Sequence, residues 1–224
     1  MKKLFLPLLF AFLLPVSYSC STLRNYTLTE QDAVAALRQM LQLGANSDLK
    51  GAFSKDAVMA TLFPESVRKT LNTLQQLGLT NEIDRFTTTM STAAEQTATH
   101  SVPVLVQGIT SMSFTDGIRI VKGGGTSATD YLRTAIGANL RSEVRPVMEQ
   151  ALKEYNLVEQ WNNIIKPARA LVGDRLNLDL PTLMAGLVTE KMFQKLAEKE
   201  QEIRTSATAR TTPLLQKVFS QNWQ

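Results

Sequence analysis

Apolar side chains recur at helical spacing along nearly the whole chain after its N-terminal segment, and this periodicity constrains the fold more than any other feature. Ala33, Leu37 and Met40 form one such stripe. Alternation of apolar and polar residues, which indicates strands, is scarce, and the two short runs that would suit strands, 58–63 and 118–121, are flanked by helical signals. The pattern predicts an all-α fold, an irregular bundle of about eight or nine helices.

Capping residues and prolines predict where the helices begin and end. Thr29 to Asp32 resembles a capping box. Proline breaks or kinks a helix, so Pro103 and Pro146 each predict an interruption, and Pro167 weakens the second half of its segment. Gly186 is the one weak point of the longest proline-free segment. The predicted helical segments lie within 29–44, 64–78, 80–103, 104–112, 113–122, 127–146, 147–152, 157–171, 181–204 and 212–219.

The N-terminus combines two lysines, a short apolar run and small residues before the only cysteine of the chain, Cys20. The apolar run has the length of a signal peptide and is too short to span a membrane. The segment ending at Cys20 resembles the lipobox of bacterial lipoproteins, whose cysteine is acylated and whose chain is cut just before it. Ser17 and Ser19 also suit ordinary signal peptidase, which would leave Cys20 unmodified. The sequence predicts a signal peptide over 1–19, a tether over 20–28 and a single helical domain over 29–224.

Acylation of Cys20 is the favoured interpretation. A free thiol is a liability in an oxidising compartment, and no second cysteine is present to form a disulfide. Acyl chains anchor a protein with roughly 0.8 kcal/mol per buried methylene. Ser21, in place of Asp, resembles the outer-membrane sorting pattern. These features predict an outer-membrane lipoprotein that faces the periplasm, or a periplasmic protein if Cys20 is not acylated.

The charge balance limits the classes of partner. The chain has 24 basic and 20 acidic residues, and removal of Lys2 and Lys3 with the signal leaves a net charge of only +2. This charge gives little electrostatic attraction to nucleic acid. The predicted partners are the membrane, through the lipid anchor, and an envelope protein or a small ligand, with no nucleic acid.

Five arginines are the candidate contacts for a ligand or an anion. Arg133, Arg141 and Arg145 fall at intervals of eight and four, which places them roughly along one helix face. Such a row beside Arg204 or Arg210 can bind a carboxylate or a phosphate, because guanidinium presents a planar fork of donors. The alternative is a solvated face whose arginines pair with neighbouring acidic residues.

A glycine loop runs from Lys122 into a helix, and backbone amides at a helix start can hold an anion. A phosphate-binding loop requires the lysine after the last glycine, whereas Lys122 precedes the glycines. Gly123 as the end of one helix and Ser127 as the N-cap of the next explain the same residues. The second interpretation is the favoured one.

Other charged patterns give weaker hypotheses. Lys191, Lys195 and Lys199 form a basic stripe that suits anionic lipid, but adjacent glutamates favour a mixed, solvated face. His100 is the only histidine, and Cys20 is assigned to acylation, so the sequence indicates no metal site and no cofactor. No catalytic residue is assigned, and an enzyme is the least favoured hypothesis.

Five short segments of the chain carry a resemblance: Ala36-Leu37-Arg38-Gln39, Leu43-Gly44-Ala45-Asn46, Phe63-Pro64-Glu65-Ser66, Thr126-Ser127-Ala128-Thr129-Asp130-Tyr131 and Ala209-Arg210-Thr211-Thr212-Pro213-Leu214-Leu215. In this order they resemble an uncharacterised bacterial envelope family, the domain of unknown function 4197. The resemblance covers about 31–219 and implies a helical periplasmic or outer-membrane-associated domain, often behind a signal or lipobox. It implies no activity. The chain departs from the family at 191–193, where the family tends to Gly-Leu-Phe.

Two function classes are compatible with these features. The favoured class is a lipid-anchored helical domain that acts as a partner-binding or structural module. The alternative is a periplasmic binding module that holds a small apolar or anionic ligand between its helices. Such a cavity would be lined by Phe86, Met90, Leu132 or Trp161, with an arginine at its mouth.

Overall fold

The computed structural model describes residues 26–63, 65, 68, 81–166 and 179–223, apart from the side chain of residue 165. These residues form eight α-helices and one 3-10 helix, and no strand occurs among them, which confirms the all-α prediction. The predicted signal peptide, Cys20, most of the predicted helix over 64–78, and Pro167 lie outside the described residues. The helices are α1 (Glu30–Ala45), α2 (Lys55–Leu62), α3 (Asn81–Ser111), α4 (Gly117–Lys122), α5 (Ser127–Glu154), α6 (Leu157–Ile165), α7 (Leu180–Thr205), the 3-10 helix (Ala207–Ala209) and α8 (Pro213–Phe219).

Side-chain caps fix the starts of α1 and α8 as the sequence predicts. The Thr29 hydroxyl accepts a hydrogen bond from the backbone N–H of Asp32 at 3.1 Å. The Thr212 hydroxyl accepts one from the N–H of Leu215 at 3.2 Å, and Pro213 occupies the first turn. Each cap satisfies a backbone donor that the helix cannot pair internally.

Two predicted interruptions are wrong. Pro103 lies within the continuous helix α3, and Pro146 lies within the continuous helix α5. Both prolines are exposed, and the buried residues of each helix continue on both sides of them. The apolar stripe therefore keeps each helix in one piece, although a proline removes one backbone hydrogen bond.

Helix α7 is at the centre of the bundle. It packs along α5 and against α1, and it also contacts α2, α3 and α8. Helix α3 also packs along α5. The buried residues of these helices form one continuous apolar core. Helices α5 and α7 lie side by side and run in opposite directions. The start of α5 therefore lies beside the end of α7.

The side chains that were expected to line a ligand cavity lie in this core. Phe86, Met90 and Leu132 are fully buried, and Trp161 is buried. The Trp161 ring packs against Phe86 and Phe63, with ring centroids 5.6 and 5.3 Å apart. These residues therefore fill space between the helices.

We expect Gly186→Ala to stabilise the domain by about 0.5–1 kcal/mol, because alanine is the better helix former and the added methyl meets only the Arg141 side chain at 3.9 Å. Gly44→Ala is the matched control. Its methyl would lie 3.1 Å from the Leu196 backbone, so we expect destabilisation at this α1–α7 contact. Urea unfolding of both variants measures the difference. A loss of stability in Gly186→Ala would contradict the prediction.

Candidate functional site

A cleft of about 280 Å³ lies where the end of α4, the loop before α5, the end of α7 and the chain from the end of α8 come together. A glycine loop forms one wall, two aromatic residues form another, and basic side chains supply its charge. The lining residues are Val121, Lys122, Gly124, Gly125, Arg204, Phe219, Gln221, Asn222 and Trp223.

The loop between α4 and α5 requires its glycines. Gly124 and Gly125 have φ angles of +66° and +52°, in the left-handed region that residues with a Cβ rarely adopt. Gly123 ends α4, as predicted, and its N–H donates to the Arg119 carbonyl at 2.8 Å. The loop can therefore turn sharply from one helix into the next.

The prediction that Ser127 is the N-cap of α5 is wrong. Thr126 occupies the N-cap position and makes no capping hydrogen bond with its side chain. The Ser127 hydroxyl instead donates to the Ile120 carbonyl at 2.7 Å, which ties the start of α5 to α4. The backbone N–H groups of Ala128 and Thr129, at the start of α5, are satisfied by α7.

The Glu200 carboxylate of α7 caps α5. It accepts hydrogen bonds from the N–H groups of Ala128 and Thr129 at 3.0 and 2.8 Å, and from the Thr129 hydroxyl at 2.7 Å. Glu200 is fully buried. A carboxylate at a helix N-terminus is stabilised by the partial positive charge there. The anion position at the start of α5 is thus filled by the chain itself.

Arg204 balances the charge of Glu200. Its Nε and Nη2 donate to one Glu200 oxygen at 3.0 and 2.8 Å. Its Nη1 and Nη2 also donate to the carbonyls of Val121 and Ile120 at 2.8 and 3.2 Å, and its guanidinium lies 5.2 Å from the Phe219 ring centroid. Arg204 therefore joins α4, α5, α7 and α8, and its charge in the cleft is largely neutralised.

A second cluster closes the domain beside the cleft. The Tyr26 hydroxyl donates to Asp32 at 2.7 Å, and the Lys217 ammonium donates to the same carboxylate oxygen at 2.9 Å. Lys217 also lies 4.2 Å from the Tyr26 ring centroid, and Trp223 packs edge-on against that ring at 5.9 Å. Hydrogen bonds from Tyr26 and Lys217 lower the pKa of Asp32. Burial, followed by contact with Asp32, raises the pKa of Tyr26. The cluster ties the N-terminal chain to the C-terminal chain.

Arg133, Arg141 and Arg145 lie along the junction of α5 with α7, away from the cleft. Arg133 pairs with Glu190 and stacks 4.8 Å from the Phe193 ring centroid. Arg145 donates to the Thr182 hydroxyl at 3.0 Å, and acidic groups from both helices lie near it. Arg141 is exposed beside Gly186. The acidic groups near Arg145 are Glu149 at 3.8 Å and Asp179 at 3.6 Å.

The remaining candidate arginine and the lysine stripe have local partners. Arg210 donates to the carbonyls of Ile203 and Arg204 at 2.9 and 2.8 Å and so caps the end of α7. Lys195 and Lys199 form ion pairs with glutamates one turn further along α7, at 2.8 and 2.5 Å. The five predicted arginines thus lie in two places, three along the α5–α7 junction and two at the end of α7.

A second cleft, of about 330 Å³, lies between the start of α3 and α6 and is lined by Glu82, Arg85, Thr89, Gln160, Asn163 and Ile164. The first cleft is the candidate site, because it combines the glycine loop with the buried ion pair of Glu200 and Arg204. No helix in the described part of the chain has both the length and the apolar character needed to cross a bilayer.

Comparison with known proteins identifies the family of this chain. The chain matches none of the curated proteins and none of the solved structures. The family described as "Protein of unknown function (DUF4197)" matches residues 27–220, which includes every helix from α1 to α8. That range covers more than half of the sequence, and the chain belongs to the DUF4197 family.

Proposed function

We propose that the chain is a bacterial cell-envelope lipoprotein, anchored through acylated Cys20, whose helical domain binds a partner or supports the envelope. The observation that carries the proposal is the order of features at the N-terminus. A signal-like segment ends at the lone cysteine, and only six residues further on Tyr26 is bonded into the folded domain. This arrangement suits a domain held close to a membrane.

The contacts of the charged groups support a binding or structural role over catalysis. Glu200 and Arg204 satisfy one another and the ends of two helices, as a structural ion pair does. Arg133, Arg145 and Arg210 also contact acceptors of the protein itself. A catalytic acid or base must be able to exchange a proton with a substrate in a cleft. These groups instead form hydrogen bonds and ion pairs within the protein.

The alternative of a ligand held between helices has less support. The aromatic and apolar residues that suggested such a cavity are packed against one another, and the ring contacts of Trp161 occupy the space that a ligand would need. The candidate cleft lies at the other end of α5, at the domain surface.

Expression of the full chain in a bacterium with a lipoprotein pathway tests the proposal. We expect the wild-type chain to fractionate with membranes, and its N-terminal peptide to begin at Cys20 with the added mass of acyl chains. In Cys20→Ser we expect the ratio of membrane-bound to soluble protein to fall by more than about tenfold, because several buried acyl chains are lost. Membrane fractionation and mass spectrometry of the N-terminal peptide measure both quantities.

Ser17→Leu is the matched control, because it supplies the leucine that lipoboxes prefer and keeps Cys20. It should remain acylated and bound to membranes. A wild-type chain that is soluble and begins with an unmodified cysteine, or with a residue other than Cys20, would contradict the anchor.

A further inference from the structure

The tether limits which side of the domain can face the membrane. Cys20 and Tyr26 are separated by six residue steps, and a fully extended chain of six steps reaches only about 20–22 Å. Tyr26 therefore stays within that distance of an acylated cysteine. Because α5 alone has 28 residues and is about 42 Å long, the two ends of the domain cannot be equally close to the bilayer.

Tyr26 is a fixed point of the domain. Its hydroxyl is bonded to Asp32, its ring lies under Lys217, and Trp223 packs against its edge. Asp32 and Lys217 belong to α1 and α8, so the point where the tether leaves the domain is held by two helices. The tether therefore cannot lengthen without breaking these contacts.

The surface around this point has the chemistry of a membrane interface. We name it the Tyr26 face, formed by Tyr26, Lys122, Lys217 and Trp223. Tyrosine and tryptophan favour the boundary between lipid and water, where the ring meets apolar matter and its polar atom meets water. Tyr26 and Trp223 are both partly exposed.

Among the described basic groups at and beside the Tyr26 face, Lys122 is the one available to an external anion. The acidic groups Asp32 and Glu200 are paired with Lys217 and Arg204. Lys122 is exposed at the edge of the cleft, and no acidic partner appears for it among the described residues. A lysine in this position attracts an anionic lipid surface.

We propose that the Tyr26 face lies against the bilayer that holds the anchor, with the cleft open to the phosphate groups of anionic lipids. This inference rests on the acylation of Cys20 proposed above. It assigns the opposite end of the domain, around α6 and the end of α5, to the periplasmic side, where a partner protein has free access.

The two tryptophans of the chain report on the two ends separately. Trp223 belongs to the Tyr26 face, whereas Trp161 lies on α6, beyond the far end of α5. The acylated chain is placed in vesicles that contain anionic lipid brominated near the headgroup. In Trp161→Phe, which leaves Trp223 as the emitter, we expect bromine to reduce the emission about twofold or more. In Trp223→Phe, we expect the emission of Trp161 to stay unchanged.

If Trp161→Phe does not fold, the wild-type chain is measured in its place. The emission that bromine quenches in the wild type, minus that in Trp223→Phe, then gives the quenching of Trp223. Failure of the wild-type chain to float with the vesicles would overturn the anchor itself. A chain that floats but whose Trp223 is unquenched, or whose Trp161 is quenched instead, would overturn the orientation and leave the anchor intact.

Lys122→Glu tests the lipid phosphate contact. We expect this variant to show weaker Trp223 quenching than the wild type in anionic vesicles and to match the wild type in vesicles of zwitterionic lipid alone. Lys153→Glu is the control, because Lys153 is also an exposed lysine but lies in the last turn of α5, where it pairs with Glu149. Equal quenching of Lys122→Glu and the wild type in anionic vesicles would overturn the phosphate contact.

Discussion

Glu200→Ala is expected to lower the free energy of unfolding by about 3–5 kcal/mol, which is the usual cost of breaking a buried ion pair from one side. The substitution removes three hydrogen bonds at the start of α5 and leaves the guanidinium of Arg204, which is only 10% exposed, without its carboxylate. Because small domains are stable by about 5–15 kcal/mol, the loss is a large share of the total. Urea unfolding followed by circular dichroism measures it.

Two further variants separate the ion pair from a general effect of removing a charge. Glu198→Ala, two residues away on the exposed side of α7, should change stability by about 1 kcal/mol or less. In the double variant Glu200→Leu with Arg204→Met, we expect a smaller loss than in Glu200→Ala, because no buried charge is left unpaired. A loss in Glu200→Ala no greater than that in Glu198→Ala would show that the network contributes little.

Phe193→Ala is expected to cost about 3–5 kcal/mol, because a fully buried phenyl ring leaves a cavity that the surrounding helices fill only in part. The ring lies in the α5–α7 junction, where a Cβ built on Gly137 would stand 3.7 Å from it and where it supports the guanidinium of Arg133. Phe193→Leu keeps most of the volume and should cost clearly less. Urea unfolding of both variants gives the two values.

The control for Phe193 removes the partner that covers its ring. Arg133→Ala loses the stacking contact and an ion pair, both at a partly exposed position, so we expect about 1 kcal/mol or less. If Arg133→Ala and Phe193→Ala cost the same, the energy of the junction would come from the charged contact instead of from apolar packing.

The helices themselves could be predicted from the sequence, because their signals are local. Apolar spacing over three or four turns identifies α1 and α7, and Thr29 and Thr212 each stand directly before the first residue of a helix. Proline was a less reliable signal. Pro103 and Pro146 each remove only one backbone hydrogen bond from their helix. Packing along the whole length of α3 and α5 keeps both helices continuous.

The site depends on contacts that no local pattern specifies. Glu200 gave one usable signal, since it falls on the apolar stripe of α7 between Leu196 and Ile203, where a charged residue requires a partner. Its partners in α5 lie 71 and 72 positions earlier. The spacing of Arg133 and Arg145 correctly places them on one face of α5, but Glu190 and Asp179 come from α7 or its cap.

Because Glu200 caps α5 from α7, the local stability of the segment that joins α4 to α5 depends on the end of α7. Helix α4 has only six residues, and a helix of that length gains too few hydrogen bonds to persist alone. Its last carbonyls and the first amides of α5 are both satisfied from α7, through Arg204 and Glu200. Undocking of the end of α7 would therefore release the end of α4 and the glycine loop together. The start of α4 would stay attached to α1, because Glu30 accepts the N–H groups of Gly117 and Ile118. The glycine wall of the cleft is thus formed or lost together with the last turns of α7.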